Sequence, residues 1–195
     1  HRLHDEPLTA DTETLARTVS HWVRTSSRAE DVGRDAAAAV QAARSGPGQV
    51  ATLILPSDAS WNEGAAAAEA LAVPALAPLD PFAIDNAARV LRTAGRDTLI
   101  LLADSAVRGP AQALAWRVAQ ATGATLLADF MNAHVERGRG RLPLERVPYV
   151  TDLAIKTLAR FQHIVLVGAK PPVGFFAYPG KPSTQYAPEA QLHRL

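Results

Sequence analysis

The sequence predicts an α/β protein built on a doubly wound parallel sheet. Three observations carry that expectation. Short apolar runs recur at residues 50–55, 98–103 and 163–167, as in strands buried on both faces. Segments with apolar residues at helical spacing separate these runs, the βαβ alternation of a covered parallel sheet. Finally, hydrophobic residues make up 48% of the chain and charged residues 20%, a composition that can bury a core.

Taken in order, Asp11 caps a short helix running to about Thr18, and residues 20–26 suit a short strand. Ser27 with Glu30 three residues later has the form of a capping box. Behind it Val32, Ala36, Ala39, Val40 and Ala43 mark the inner face of a helix that Gly46-Pro47 stops. Residues 50–55 then form a buried strand, and this first block closes near Trp61. Residues 62–79, rich in Ala with Pro74 and Pro78, read as a linker on a surface. Asp80-Pro81 opens the next helix, with Ile84, Ala87, Ala88 and Leu91 inward and Gly95 as C-cap. A strand follows at 98–103. The helix from Pro110 puts Ala111, Leu114, Ala115 and Val118 on one face and ends at Gly123. A strand at 125–128, a helix at 149–161 and a strand at 163–167 complete the alternation. The segment 191–195 reads as one more strand. No internal repeat accompanies the alternation.

The chain has 195 residues, a formal charge of +1 and no cysteine. The charge supplies no field to hold nucleic acid or an anionic membrane. Absence of cysteine excludes disulfides, thiol catalysis and thiolate-bound metal, and fits a cytoplasmic protein. No apolar run is long enough for a membrane helix. The chain opens at His1 without Met and stops inside a strand-like segment, so a piece of a larger enzyme is expected.

Doubly wound sheets bind ligands beyond the carboxyl ends of their strands. The candidate surface is therefore residues 104–109, 129–134 and 168–180. Its most unusual part is the loop at 168–180. Lys170 there precedes Phe175, Phe176 and Tyr178 in a frame stiffened by Pro and Gly. Two readings stand. Lys170 can reach a phosphate or carboxylate while the aromatics stack on a ring, or the aromatics simply cover the sheet end. In the first turn, Ser105, Arg108 and Gly109 before Pro110 sit where backbone N–H groups meet an anion, although the turn lacks G-x-G-x-x-G and also suits an ordinary βα connection.

Other groups are weaker. His1, His4, Asp5 and Glu6 resemble a metal cluster by spacing but suit a solvated terminal loop. His134 and Glu136 have the types of an acid–base pair with nothing to fix their geometry. Arg137 to Arg141 alternates Arg and Gly, as an exposed loop does. Trp22, Trp61 and Trp116 are expected as packing anchors. Ser57-Asp58 follows a strand with no histidine placed for a triad. No catalytic residue and no metal ligand is assigned.

The run Gly46-Pro47-Gly48-Gln49-Val50-Ala51-Thr52-Leu53-Ile54-Leu55-Pro56-Ser57-Asp58, behind its Ala-rich helix, resembles the end of the pyrimidine-binding domain of thiamine-diphosphate-dependent enzymes. Leu99-Ile100-Leu101-Leu102-Ala103, Arg108-Gly109-Pro110, Ala121-Thr122-Gly123-Ala124, Leu144-Glu145-Arg146-Val147-Pro148-Tyr149 and Val165-Leu166-Val167-Gly168-Ala169 follow. With Phe175-Phe176-Ala177-Tyr178-Pro179-Gly180, they resemble the central domain of the same enzymes. Acetolactate-synthase-like and benzoylformate-decarboxylase-like proteins are the nearest in look.

The resemblance implies residues 1–61 as the C-terminal part of the pyrimidine-binding domain, 62–79 as linker and 80–195 as a Rossmann-like central domain of six strands, truncated at its C-terminus. It implies a parent that decarboxylates or ligates 2-oxoacids as a transferase or lyase, with thiamine diphosphate and magnesium, as a homo-oligomer. The activating Glu of such enzymes lies before this chain and the Gly-Asp-Gly…Asn-Asn motif after it. The fragment's partners are thus the remaining pyrimidine-binding and pyrophosphate domains, and it is expected to be inactive alone.

Acetolactate synthases carry FAD on the central domain, with a Gly-rich turn and a Gly-x-Arg-Phe-Asp-Asp-Arg run. Here Ala103-Asp104-Ser105 and Gly168-Ala169-Lys170 stand at those places, which argues against FAD. The cofactor-facing candidates carried over are Ser105, Arg108, Gly109, Gly168, Lys170, Phe175, Phe176 and Tyr178. The competing readings are a stand-alone nucleotide-binding module and a structural domain for subunit assembly.

Overall fold

The computed structural model describes residues 4–195. Two compact units divide between Ala77 and Pro78. The break falls within a stretch, residues 62–80, that forms neither helix nor strand.

The first unit runs α1 (Thr12–Arg17), β1 (Trp22–Thr25), α2 (Val32–Arg44), β2 (Ala51–Ile54) and α3 (Ser57–Trp61). Asp11 caps α1 by accepting from Thr14 N at 3.1 Å. β1 and β2 pair in parallel, with Trp22 opposite Ala51 and Thr25 opposite Ile54. Both strands are at most half-buried, because each has only one neighbour. This corrects the expectation of a buried strand at 50–55.

Three other expectations in this unit are corrected. The capping box at Ser27 does not form: a 3-10 turn at Ala29–Asp31 leads into α2, and Glu30 pairs with Arg28 instead. The buried line of α2 is Asp35 and Ala42, one heptad apart, while Val40 is exposed. Trp61 is 83% exposed and anchors nothing. Asp35 sits on the inner face because donors meet it there: Ser26 Oγ at 2.9 Å, Arg24 Nη1 at 3.0 Å and the Arg34 guanidinium at 3.3 Å. Burial pushes its pKa up, but these donors outweigh burial and hold it below the usual carboxylate range.

The second unit is the doubly wound sheet. Its elements are α4 (Pro81–Ala94), β3 (Thr98–Leu102), α5 (Gly109–Thr122), β4 (Thr125–Ala128), α6 (Thr151–Leu158), β5 (His163–Val167) and β6 (Gln191–Arg194). The strand order is β4-β3-β5-β6, all parallel. Four strands form among the described residues where the resemblance implied six. Glu145 to Val147 adds a short fourth pairing outside β4: Ala128 N donates to Glu145 O at 2.8 Å, and Val147 N donates to Ala128 O at 2.9 Å.

β3 is buried along its whole length, and its alternation builds two cores. Ile100 and Leu102 join Ala87, Leu91, Ala119 and Val165 on the face that α4 and α5 cover. Leu99 and Leu101 join Ala154, Leu158, Phe161 and Ile164 on the face that α6 covers. Helices therefore cover both faces.

Helix faces differ from expectation. α5 turns Gln112, Ala115 and Ala119 inward and leaves Leu114, Trp116 and Val118 exposed, so small residues rather than large ones meet the sheet. α4 buries Ala87, Val90 and Leu91 and exposes Ile84. α6 is shorter than 149–161 and leaves Val150 and Leu153 outside. Gly95 has right-handed backbone, so it is no left-handed cap; a Cβ there would lie 1.9 Å from Thr122 O, and the glycine lets α4 meet the end of α5. Gly123 does take the left-handed conformation, at φ 77°.

Candidate functional site

The carboxyl ends of β3, β4 and β5 bring together three loops. After β3, Ala103 is buried and a 3-10 turn at Asp104–Val107 leads into α5. Asp104 holds φ 54°, a left-handed conformation that favours glycine. Its backbone N–H, one of the groups a bound anion would use, already donates to Asn132 Oδ1 at 3.2 Å. Asn132 Nδ2 in turn donates to Asp129 O at 2.6 Å. One side chain thus ties the β3 loop to the β4 loop.

Ser105 and Arg108 are exposed on this turn, and Arg108 precedes α5 without a side-chain cap. Gly109 holds φ 38°. The Glu136 carboxylate stands beside it: a Cβ on Gly109 would lie 3.8 Å from Glu136 Oε1. Arg141 holds that carboxylate in an ion pair. The positive end of α5 therefore stands beside an internal acid whose charge Arg141 balances.

The strand order reverses between β3 and β5, where doubly wound sheets open a crevice. Here the two backbone segments stay close past their strand ends, although Gly168 itself is exposed. Gly168 follows β5 at φ 63°, and a Cβ on it would lie 3.0 Å from Ala103 O. Ala103 N donates to Val167 O at 3.1 Å, extending the β3–β5 pairing past the strand end. Gly168 is thus a close-approach glycine between two loops. Lys170, two residues on, is exposed and makes no ion pair among the described residues.

The aromatics of this loop form a ladder rather than a cover. Phe130, Tyr149, Phe175, Phe176 and Tyr178 touch in that order, with ring centroids 6.0, 5.7, 4.7 and 5.8 Å apart, mostly edge to face. Phe175 and Phe176 remain 47% and 57% exposed. The expectation that these rings pack onto the sheet end is corrected: they pack on one another, and the outer rings stay open to solvent. Lys181 closes the ladder, over the Tyr178 ring and paired with Asp152 at 2.6 Å.

Ser105, Arg108 and Gly109 thus lie on one loop and Gly168, Lys170, Phe175, Phe176 and Tyr178 on another, joined only where Gly168 meets Ala103. Sequence reasoning placed Asp129 and Asn132 on the candidate surface without giving either a role, and it missed the Glu136–Arg141 pair. Asp129 carried a signal: it directly follows a strand, about 20 residues after Gly109, the place of a ribose-binding acid in dinucleotide folds. Burial raises its pKa, partly offset by the N–H groups of Phe130 and Met131. Its Oδ1 accepts from Phe130 N at 2.7 Å, so the carboxylate serves its own loop. Glu136 pairs with Arg141, not with His134. Trp116 is exposed and no anchor. Asp58 accepts from Ala59 N at the start of α3. His1 lies outside the described residues, and among those described no cluster of three His, Asp or Glu can hold a metal ion.

No protein-family model matches the chain. Among curated proteins it is 44% identical over all 195 residues to a Mycobacterium tuberculosis H37Rv protein named "Putative acetolactate synthase large subunit IlvX". The chain spans 37% of that relative's length. Among solved structures it matches a Mycobacterium smegmatis protein described as a "putative thiamin diphosphate-dependent enzyme", with a TM-score of 0.69 and 21% identity, over 97% of this chain and 36% of the other. A thiamine diphosphate-dependent 4-hydroxybenzoylformate decarboxylase of Rhodococcus jostii RHA1 gives a TM-score of 0.69 and 22% identity, over 98% of this chain and 36% of the other. At these identities the two structures establish the fold.

Proposed function

We propose that this chain, a homologue of a segment of the thiamine-diphosphate-dependent, acetolactate-synthase-like enzymes, is the scaffold portion of a 2-oxoacid carboligase or decarboxylase and holds no cofactor itself. In this reading the first unit is the C-terminal part of a pyrimidine-binding domain and the second a central domain. The observation that carries the reading is the alignment over the whole chain with about a third of an acetolactate-synthase-like relative.

Thiamine diphosphate does not fit the residues present. Its diphosphate needs a divalent cation held by acidic and amide ligands, and no cluster of three such acids exists among the described residues. FAD fits no better at the strand ends. The first turn carries Asp104 in a left-handed conformation where a close-approach glycine would serve, and its backbone N–H is already given to Asn132. The parent's chemistry, with thiamine diphosphate and magnesium, then belongs to other segments, and this chain contributes spacing and rigidity between them.

The encoding gene tests this. A Gly-Asp-Gly run followed by Asn-Asn, downstream of Leu195 in the same frame, supports the scaffold reading. A frame that closes at Leu195 removes it and favours a self-standing binding or assembly domain.

A further inference from the structure

We infer that the loop outside β4 forms a binding site for a small aromatic carboxylate. The site adjoins the strand-end surface through Phe130 and Tyr149 and does not depend on the cofactor reading. The chain leaves β4 at Asp129, loops through the Arg-Gly segment and returns as Glu145 to Val147 along the outer edge of β4. Between the outgoing and returning segments lies an open groove of about 950 Å³. That volume is within the range of small-molecule sites, about 300–1,000 Å³.

Its walls divide by chemistry. Phe130 and Tyr149, in edge-to-face contact at 6.0 Å, supply an aromatic wall. Arg137, Arg141 and Arg146 also line it. Arg141 is neutralised by Glu136, and Arg137 spends one N–H on Leu144 O at 3.4 Å. Arg146 forms no ion pair or hydrogen bond among the described residues through its side chain, and its backbone is pinned between two hydrogen bonds to Ala128. Glu145 also lines the groove. Three guanidiniums against the carboxylates of Glu136 and Glu145 leave one positive charge in excess.

Arg137 and Arg146 have no carboxylate partner, and Glu145 no cation partner, among the described residues, so the lining beside the aromatic wall keeps one net positive charge and selects a ring bearing one negative charge. A carboxylate suits it best, because the planar fork of Arg146 can donate two parallel hydrogen bonds to its two oxygens. A nucleotide brings two or more charges, more than the site balances.

The test is a ligand-observed NMR titration of phenylacetate into the full chain, beside phenylacetamide, acetate and adenosine monophosphate. The site predicts saturable phenylacetate binding with Kd of about 0.1–1 mM. The neutral amide and the ringless acetate should each bind at least about tenfold more weakly, and Arg146→Gln should weaken phenylacetate by a similar factor while Arg146→Lys loses less. Absence of saturation up to about 10 mM overturns the site, as does equal binding of acetate, unchanged binding in a folded Arg146→Gln chain, or tighter binding of adenosine monophosphate. Should Arg146→Gln fail to fold, the comparison of the four probes on the unaltered chain decides.

Discussion

His193 Nε2 lies 3.2 Å from His163 Nδ1, across the pairing of β5 with β6. The proton in this contact can be placed by elimination. Arg89 is only a donor, and its Nη2 meets Asn86 Oδ1 at 2.6 Å. Asn86 therefore turns its NH₂ to His193 Nδ1, 3.1 Å away, and that nitrogen accepts. His193 then carries its proton on Nε2 and donates it to His163 Nδ1. A proton on His163 Nδ1 sets N–H against N–H, and one on His193 Nδ1 sets N–H against the Asn86 NH₂. Consistently, burial, with the neighbouring His163 and Arg89 charges, lowers the His193 pKa below 6.5.

The sign of the pH dependence follows. A histidine whose pKa is lower folded than unfolded binds fewer protons in the native state. Its contribution is complete above the unfolded value and is lost as pH falls through 6.5 and toward the lower folded value. Urea denaturation, followed by Trp116 in a Trp22→Phe/Trp61→Phe background, should show the second unit losing stability between about pH 7.5 and pH 5. Asp129, raised by burial, contributes a slope of opposite sign. The readout is therefore the comparison with His163→Gln/His193→Gln, which should be flatter over this range. An identical slope in that variant contradicts the relay.

Two glycines should resist substitution for different reasons. A Cβ at Gly95 meets Thr122 O at 1.9 Å, which only a shift of α4 against α5 relieves. Gly95→Ala should cost about 1–3 kcal/mol in urea denaturation, as overpacking does. Gly168→Ala must hold φ 63° with its Cβ 3.0 Å from Ala103 O, and about 1–2 kcal/mol is expected. Asp104→Gly should be neutral or stabilising, because Asp104 already sits at φ 54°. A stabilising Gly168→Ala would show that the β3 and β5 loops are not in contact.

The first turn, with Asp104 in place of a glycine and its N–H taken by Asn132, predicts that the chain purifies colourless. Absorbance near 450 nm, or saturable quenching of FAD fluorescence at low micromolar concentration, would show that this turn accepts a pyrophosphate. The double variant Asp104→Gly/Glu136→Gln removes both carboxylates from the first turn but leaves the hydrogen bond to Asn132. It too should bind no flavin, because that backbone N–H stays taken.

Much of the second unit was legible in the sequence. β3 and β5 stand out because a strand buried on both faces reads as a continuous apolar run, as Leu99–Leu102 and Ile164–Val167 do. The turns around Asp80-Pro81 and Gly123 stand out because local backbone chemistry suffices to specify them. The helix faces were misread because size is not burial: α5 presents Ala115 and Ala119 to the sheet and leaves Trp116 and Leu114 outside. The pieces of the site that stayed hidden are all long-range. Gly168 against Ala103, Asn132 bridging Asp129 and Asp104, and His193 against His163 join residues from separate loops or strands, and no local pattern encodes such meetings.

The central claim, that this chain is scaffold without cofactor chemistry of its own, is tested most directly by calorimetric titration of thiamine diphosphate with Mg²⁺ into the purified chain. No heat beyond dilution is predicted, because no described cluster of acids can hold the cation that the diphosphate requires. Saturable binding at micromolar concentration, lost on chelating the metal, would contradict it.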